Sequence, residues 1–156
     1  MTNGRPLSIA QERSWVLERL HPGNPAHNVF FGLRLTGPLE VDTLKRAWSE
    51  VVRQHEILRT EFRVNDGVPG AFFVGSSSAQ FNTRDLEGVS RQECEPHLME
   101  LARNESRLPF DLSCAPLLRA SLYRLSRAEN VFLVVAHRMV CDEASLEILL
   151  RETGLR

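Results

Sequence analysis

The chain has 156 residues, a length that fits one domain and allows a sizeable hydrophobic core. Hydrophobic residues make up 42% and charged residues 25%, and the net charge of -1 argues against a nucleic-acid or anionic-membrane surface. No apolar run reaches the length of a membrane span, and residues 1–6 lack an apolar signal core, so we expect a cytoplasmic protein.

The three cysteines, Cys94, Cys114 and Cys141, are far apart in the sequence. Their spacing matches neither a metal-binding motif nor a disulfide framework. We therefore expect reduced cysteines that act as small hydrophobic residues, no metal site and no bound cofactor.

The first predicted element is a helix that begins after Ser8. This residue is a good N-cap, and Gln11 is placed to complete a capping box. The helix extends to about Leu20, where the sequence of residues 21–25 breaks it. Residues 28–35 are rich in aromatic and branched side chains and predict a strand.

The clearest helix in the sequence covers residues 44–55, where apolar side chains recur at helical spacing and Asp42 or Glu40 is the expected cap. The turn at residues 65–67 predicts a hairpin. A short strand is expected at residues 81–86.

The last part of the chain predicts a helix over residues 91–106, with Pro96 in its first turn, and two strands at 117–125 and 131–137. The second strand is apolar on both faces, so we expect it at the centre of a sheet covered on both sides. A last helix starts at Asp142. We expect the leucine and tryptophan residues of the helices to face the core. The predicted class is α/β or α+β, with helices packed on a mixed sheet.

The central strand ends in His137, and Asp142 follows five residues later. Acyl-transfer sites are often built from an imidazole and a carboxylate in this arrangement, but a structural histidine and a helix-capping or arginine-paired aspartate are more frequent at such positions. Arg138 cannot act as a base, because a guanidinium stays protonated. Glu143 in a first helical turn is typical of a surface acid that the helix dipole favours.

Four segments together resemble the condensation domains of nonribosomal peptide synthetases. Residues 8–17 resemble the opening motif, 54–62 the motif RHExLRTxF, 108–120 the segment PFDLxxxPLLRA, and 137–143 the signature HHxxxDG. They follow the order and spacing of the family. The resemblance implies one lobe of a chloramphenicol acetyltransferase-like fold: residues 1–156 match the N-terminal lobe, and the second lobe is absent.

The resemblance also implies a chemistry. In this family, carrier proteins dock on opposite faces and present aminoacyl thioesters on phosphopantetheine arms, and an amine attacks a thioester to form a peptide bond. The second histidine of the signature positions or deprotonates the amine. The aspartate is mainly structural and is held by an arginine, and the glycine leaves room for the arm.

Two residues of this chain depart from that signature. Arg138 stands at the position of the catalytic histidine, and Glu143 replaces the glycine and adds a carboxylate that would block the pocket. The two could form an ion pair. The His-Arg pair is similar to the HRxxxD-like signature of the X-domain of glycopeptide assembly lines, which recruits cytochrome P450 enzymes.

The other two signature residues are retained. His137 matches the first histidine, which is usually structural in the family, and it is the remaining candidate base. Asp142 matches the structural aspartate, and Arg59 or Arg13 is its expected partner.

Three interpretations of function follow. The first is a non-catalytic lobe that binds a carrier protein, a tailoring enzyme or a separate second lobe. The second is an amide-forming acyltransferase with His137 as base, completed by a partner chain or a dimer mate. The third is a vestigial product or a piece of a longer synthetase. We expect a partly apolar face that supports self-association or partner binding.

Overall fold

The computed structural model of the chain describes residues 4–75 and 78–155. Within them lie four helices and six strands, with 3₁₀ turns at Pro25–His27 and Glu56–Arg59. In chain order they are α1 (Ile9–Leu20), β1 (Asn28–Thr36), α2 (Val41–Gln54), β2 (Thr60–Asn65), β3 (Val68–Phe73), β4 (Gln80–Asp85), α3 (Arg91–Arg107), β5 (Leu118–Ser126), β6 (Glu129–His137) and α4 (Glu143–Glu152).

Four of the strands form a mixed sheet in the order β1-β6-β5-β4. The β4–β5 pair is parallel, whereas β6 is antiparallel to both β1 and β5. The apolar strand that ends in His137 is therefore central, as its sequence predicts. Strands β2 and β3 form a separate hairpin, whose turn residues Asp66 and Gly67 both have positive φ, at 51° and 81°.

Helices cover both faces of the sheet. On one face, α2 and α4 pack against alternate residues of β5 and β6, and this main core includes Trp48, Leu122, Phe132 and Leu146, all of them buried. On the other face, α3 packs against Tyr123, Leu133 and Val135 through Cys94 and Leu98. The predicted fold class, a mixed sheet covered by helices, is confirmed.

Helix α1 differs from the sequence-based expectation. Its capping box is present, with the Ser8 hydroxyl accepting from the backbone N–H of Gln11. However, the helix buries no residue: Trp15 is half-buried and Leu17 is exposed. The expectation that the apolar residues of α1 face the core holds for Trp15, which packs against the main core, and is wrong for Leu17 and Leu20, which are exposed.

Two smaller expectations also need correction. Helix α3 begins at Arg91 after the cap Ser90, so Pro96 is its sixth residue and lies beyond the first turn, where it removes one N–H from the helical ladder. Helix α2 has Glu40 at its N-cap position, but this side chain makes no capping hydrogen bond. No helix in the described part of the chain is sufficiently long and apolar to span a membrane.

Candidate functional site

His137 is the last residue of β6, and only 2% of it is exposed. Its backbone N–H donates to the carbonyl of Leu117 at 2.9 Å, and its carbonyl accepts from the N–H of Val140 at 3.0 Å. These backbone hydrogen bonds fix the point from which the imidazole side chain extends. Residues 138–142 form the loop that leads into α4, and we call them the signature loop.

Both ring nitrogens of His137 face groups of the protein. Nδ1 accepts the backbone N–H of Met139 at 3.2 Å, so the neutral ring carries its proton on Nε2. Nε2 lies 3.5 Å from Oε2 of Glu18, which is long for a hydrogen bond, and it has no hydrogen-bond partner among the described residues. In this arrangement the ring has no free lone pair to accept a proton from a substrate.

Glu18 on α1 joins His137 to a second imidazole. Its Oε2 contacts Nδ1 of His27, and its Oε1 accepts the N–H of Gly23 at 2.7 Å. The rings of His27 and His137 meet edge to face, with centroids 5.9 Å apart. We call Glu18, His27 and His137 the buried Glu-His-His cluster, although the carboxylate of Glu18 keeps a small exposed fraction.

The cluster has the residue types of a metal site, since its three potential ligand atoms lie within 4.8 Å of one another. Two features oppose a metal ion. The Met139 N–H places the proton of neutral His137 on Nε2, which is the atom that would have to bind the ion. Glu18 also contacts His27 directly, which leaves no space for an ion between them. The arrangement is better suited to hydrogen bonding.

Burial and neighbouring charges shift the pKa values of His137 and Glu18. Burial lowers the pKa of His137 below its usual 6.5, and nearby His27 and Arg138 add to this, whereas the carboxylate of Glu18 opposes it. Burial alone would raise the pKa of Glu18. The N–H of Gly23 and the two histidines outweigh it, so the pKa of Glu18 is lowered. The cluster therefore favours a neutral His137 beside an ionised Glu18.

Arg138 and Glu143 both lie on the surface. The backbone N–H of Arg138 donates to the carbonyl of His27 at 2.9 Å, while its side chain is exposed. Glu143 is the exposed first residue of α4. The ion pairs among the described residues do not include these two, so the predicted Arg138–Glu143 pair is not formed.

Asp142 is the N-cap of α4. Its carboxylate accepts the backbone N–H of Ser145 at 2.8 Å and the Ser145 hydroxyl at 2.5 Å. These hydrogen bonds, the hydroxyl first, lower the pKa of Asp142 and make it a weaker base. Of the two roles that the sequence leaves open for this aspartate, the geometry provides the helix cap.

The arginine partner expected for Asp142 is engaged elsewhere. Arg59 donates to the carbonyl of Gly75 at 3.0 Å and lies over the ring of Phe73, with its guanidinium carbon 4.6 Å from the centroid. Arg13 is exposed on α1. The ion pair predicted between Asp142 and one of these arginines is not formed, because Asp142 is directed to the first turn of its own helix.

Cys141 also lies in the signature loop, but it does not resemble a nucleophile. Its side chain is buried, and burial, with Asp142 adding to it, raises the pKa of the Cys141 thiol to about 12. A thiol of this kind is protonated near neutral pH and is poorly reactive.

Hydrogen bonds and ring contacts join the four motif segments in the folded chain. Gln11 of the first segment donates from Nε2 to the carbonyl of Met139 at 3.2 Å. Phe110 of the third segment meets the His137 ring edge to face at 6.3 Å. Phe62 of the second segment donates its N–H to the carbonyl of Leu112 in the third at 2.7 Å.

Sequence reasoning missed Glu18 and His27. Neither residue has a distinctive sequence spacing to His137, from which they are separated by more than 100 positions. Their proximity depends on the antiparallel β1–β6 register, which pairs Asn28 with His137 and so places His27 beside the signature loop. A correct prediction of the β1–β6 pairing would have identified both residues.

The chain is similar in sequence to known proteins. The family model "Condensation domain" matches residues 1–154. One of the linear gramicidin synthase proteins of Brevibacillus parabrevis is 36% identical over 147 residues, which are 94% of this chain and 2% of that protein. Bacitracin synthase 2 from Bacillus licheniformis is 32% identical over 147 residues, which are 94% of this chain and 5% of that protein.

Two solved structures are similar as well. The first condensation domain of the calcium-dependent antibiotic synthetase matches with a TM-score of 0.90 and 20% identity, over 98% of this chain and 37% of that one. The X-domain in its complex with OxyB from teicoplanin biosynthesis matches with a TM-score of 0.83 and 26% identity, over 98% and 32%.

The chain belongs to the condensation-domain family, and the resemblance seen in its motifs is confirmed. It spans only a small part of the length of its curated relatives and less than two fifths of the solved chains named above.

Proposed function

We propose that this chain acts as a non-catalytic condensation-type lobe that binds a protein partner in nonribosomal peptide biosynthesis. The observation that carries the proposal is the state of the signature. A guanidinium occupies the position of the family's catalytic histidine, and the one imidazole in residues 137–143 is buried with Nδ1 already hydrogen-bonded.

The proton balance of the reaction supports this proposal. An amine that attacks a thioester must lose a proton, and a neutral imidazole lone pair can accept it. Arg138 is permanently charged and cannot do so. Asp142 has a lowered pKa and its carboxylate accepts two hydrogen bonds from Ser145, which makes it a poor substitute.

The surface of α1 supports a docking role. Four of its apolar side chains recur at helical spacing and are exposed, namely Ile9, Val16, Leu17 and Leu20, with exposed fractions of 74% for Ile9 and 66% for Leu20. Clustered apolar residues on an otherwise polar surface are typical of an interaction site. We propose that this surface, the α1 apolar face, contacts the partner.

Three kinds of partner fit a condensation-type lobe: a carrier protein with its phosphopantetheine arm, a tailoring enzyme, and a separate second lobe. The similarity to an X-domain solved with OxyB favours the tailoring enzyme, because the His137-Arg138 pair is also similar to the signature expected of that type. The phosphopantetheine arm would be a presented substrate and not a resident group. A second copy of this chain is a further candidate to bind the α1 apolar face, so self-association is measured as well.

Binding measurements test the proposal. The purified chain is titrated separately with a loaded carrier protein, an oxygenase of the tailoring class and a second-lobe polypeptide, and its own association is followed by light scattering. We expect Leu20→Glu to weaken binding of the true partner by roughly tenfold or more. The matched control is Ile148→Glu, which also places a charge at an exposed apolar helix position. A chain that stays monomeric and binds none of the three would refute the docking role.

A further inference from the structure

The signature loop packs into the main core through Met139, Val140 and Cys141, and it also receives polar contacts from the N-terminal part of the chain. The carbonyl of Met139 accepts from Gln11, and the N–H of Arg138 donates to the carbonyl of His27. The side chain of Glu18 adds the third contact by approaching Nε2 of His137. Gln11 and Glu18 lie on α1, so two of these contacts join that helix to the end of β6 and the signature loop, beside the partly buried Trp15.

The Met139 hydrogen bond requires one tautomer of His137. A backbone N–H can donate to Nδ1 only when that nitrogen is unprotonated, which leaves the proton on Nε2. In the opposite tautomer, two N–H groups would face each other and Nε2 would offer a lone pair to a carboxylate. The burial of His137 makes both mismatches costly.

The negative charge of the Glu18 carboxylate, 3.5 Å from Nε2, favours a proton on that nitrogen. The other oxygen of this carboxylate accepts the N–H of Gly23 at 2.7 Å, which holds the side chain in place. His27 contacts the same oxygen through Nδ1, so one carboxylate serves two imidazoles. Neither imidazole needs to be charged for this arrangement to be satisfied.

We propose that Glu18 is a positioning residue that fixes the Nε2–H tautomer of His137 and thereby the conformation of the signature loop. His27 orients the carboxylate of Glu18 from the other side. The inference does not depend on the proposed docking function, because it concerns the loop within this chain alone.

Nitrogen-15 NMR of histidine side chains tests the proposal on the wild-type chain. We expect His137 to show an unprotonated Nδ1 and a protonated Nε2 at neutral pH. In Glu18→Gln the charge is removed at almost constant shape, so we expect a mixture of tautomers and a titration midpoint of His137 shifted to lower pH. The hydrogen-exchange rate of the Met139 backbone amide should rise roughly three- to tenfold, because the loss of one hydrogen bond has an effect of this size.

The matched control is Glu12→Gln, an exposed change on the same helix, which should leave all three readouts unchanged. Glu18→Asp keeps the charge on a shorter side chain and should restore part of the wild-type pattern.

Several results would overturn the proposal. A protonated Nδ1 in the wild type would do so without any variant, even if Glu18→Gln fails to fold. An unchanged tautomer and titration in a folded Glu18→Gln would show that Glu18 does not position the ring. Stoichiometric Zn²⁺ binding that shifts the signals of both His27 and His137 would identify the cluster as a metal site instead.

Discussion

Oε2 of Glu18 lies 3.5 Å from Nε2 of His137 and also contacts Nδ1 of His27. This shared carboxylate connects α1 to the end of the central strand, where the family signature begins. The imidazole retained from the signature is thus part of an internal network. That is the physical reason for regarding His137 as a structural residue and not as a free base.

The stability of the chain should fall when the pH is lowered below about 6.5. Burial lowers the pKa of His137 in the folded state, so between that lowered pKa and 6.5 the unfolded state binds more protons. Stability from this group is complete above 6.5 and is lost as the pH falls, by at most about 1.4 kcal/mol per pH unit for one proton. Glu18, with its lowered pKa, adds a further loss only below about 4.5.

Urea unfolding between pH 7.5 and 5 measures this dependence. The charged or titratable groups that influence His137 are Glu18, His27 and Arg138. We expect His137→Gln to flatten the slope, and His97→Gln, at an exposed position on α3, to leave it unchanged. A slope that is identical in wild type and His137→Gln would show that His137 is not the group responsible.

Asp142→Ala should destabilise the chain by about 1 kcal/mol, because α4 loses its N-cap. Asp142→Asn should cost much less, since an asparagine side-chain oxygen can still accept the N–H of Ser145. Thermal or urea unfolding of both variants measures the difference. If asparagine were as destabilising as alanine, the negative charge would matter more than the cap, and an arginine partner would have to be reconsidered.

Phe132→Ala should cost about 3–5 kcal/mol, the usual effect of truncating a buried aromatic residue. Phe132 is fully buried on β6 and packs against Trp48 and Phe81, with ring centroids 5.8 and 5.7 Å away. Phe30→Ala on the edge strand β1 is the control, because that ring is mostly exposed and its loss should cost far less. Similar losses for the two variants in urea unfolding would contradict the assigned core.

The regular elements were predictable from the sequence, and the polar contacts were not. The apolar run ending at His137 identifies a central strand, and Ser8, Asp66 and Gly67 mark a cap and a turn through local chemistry. The exposure of α1 escaped prediction because a pattern of apolar residues does not say whether another element covers them.

The candidate site could be predicted only in part. His137 and Asp142 are visible in the sequence, since one ends a strand and the other begins a helix. The partners of these residues depend on the pairing of strands far apart in the sequence and on side-chain rotamers. Glu18 and His27 therefore escape prediction, and Asp142 contacts Ser145 where the sequence predicts an arginine.

Under the proposed function, this chain does not form amide bonds by itself. The direct test incubates the purified chain with two carrier proteins loaded with aminoacyl thioesters, and measures carrier-bound dipeptide by mass spectrometry against a reaction without the chain. We predict the same amount of product in both. Dipeptide formed at an enzymatic rate by the chain, and lost in His137→Ala, would contradict this claim.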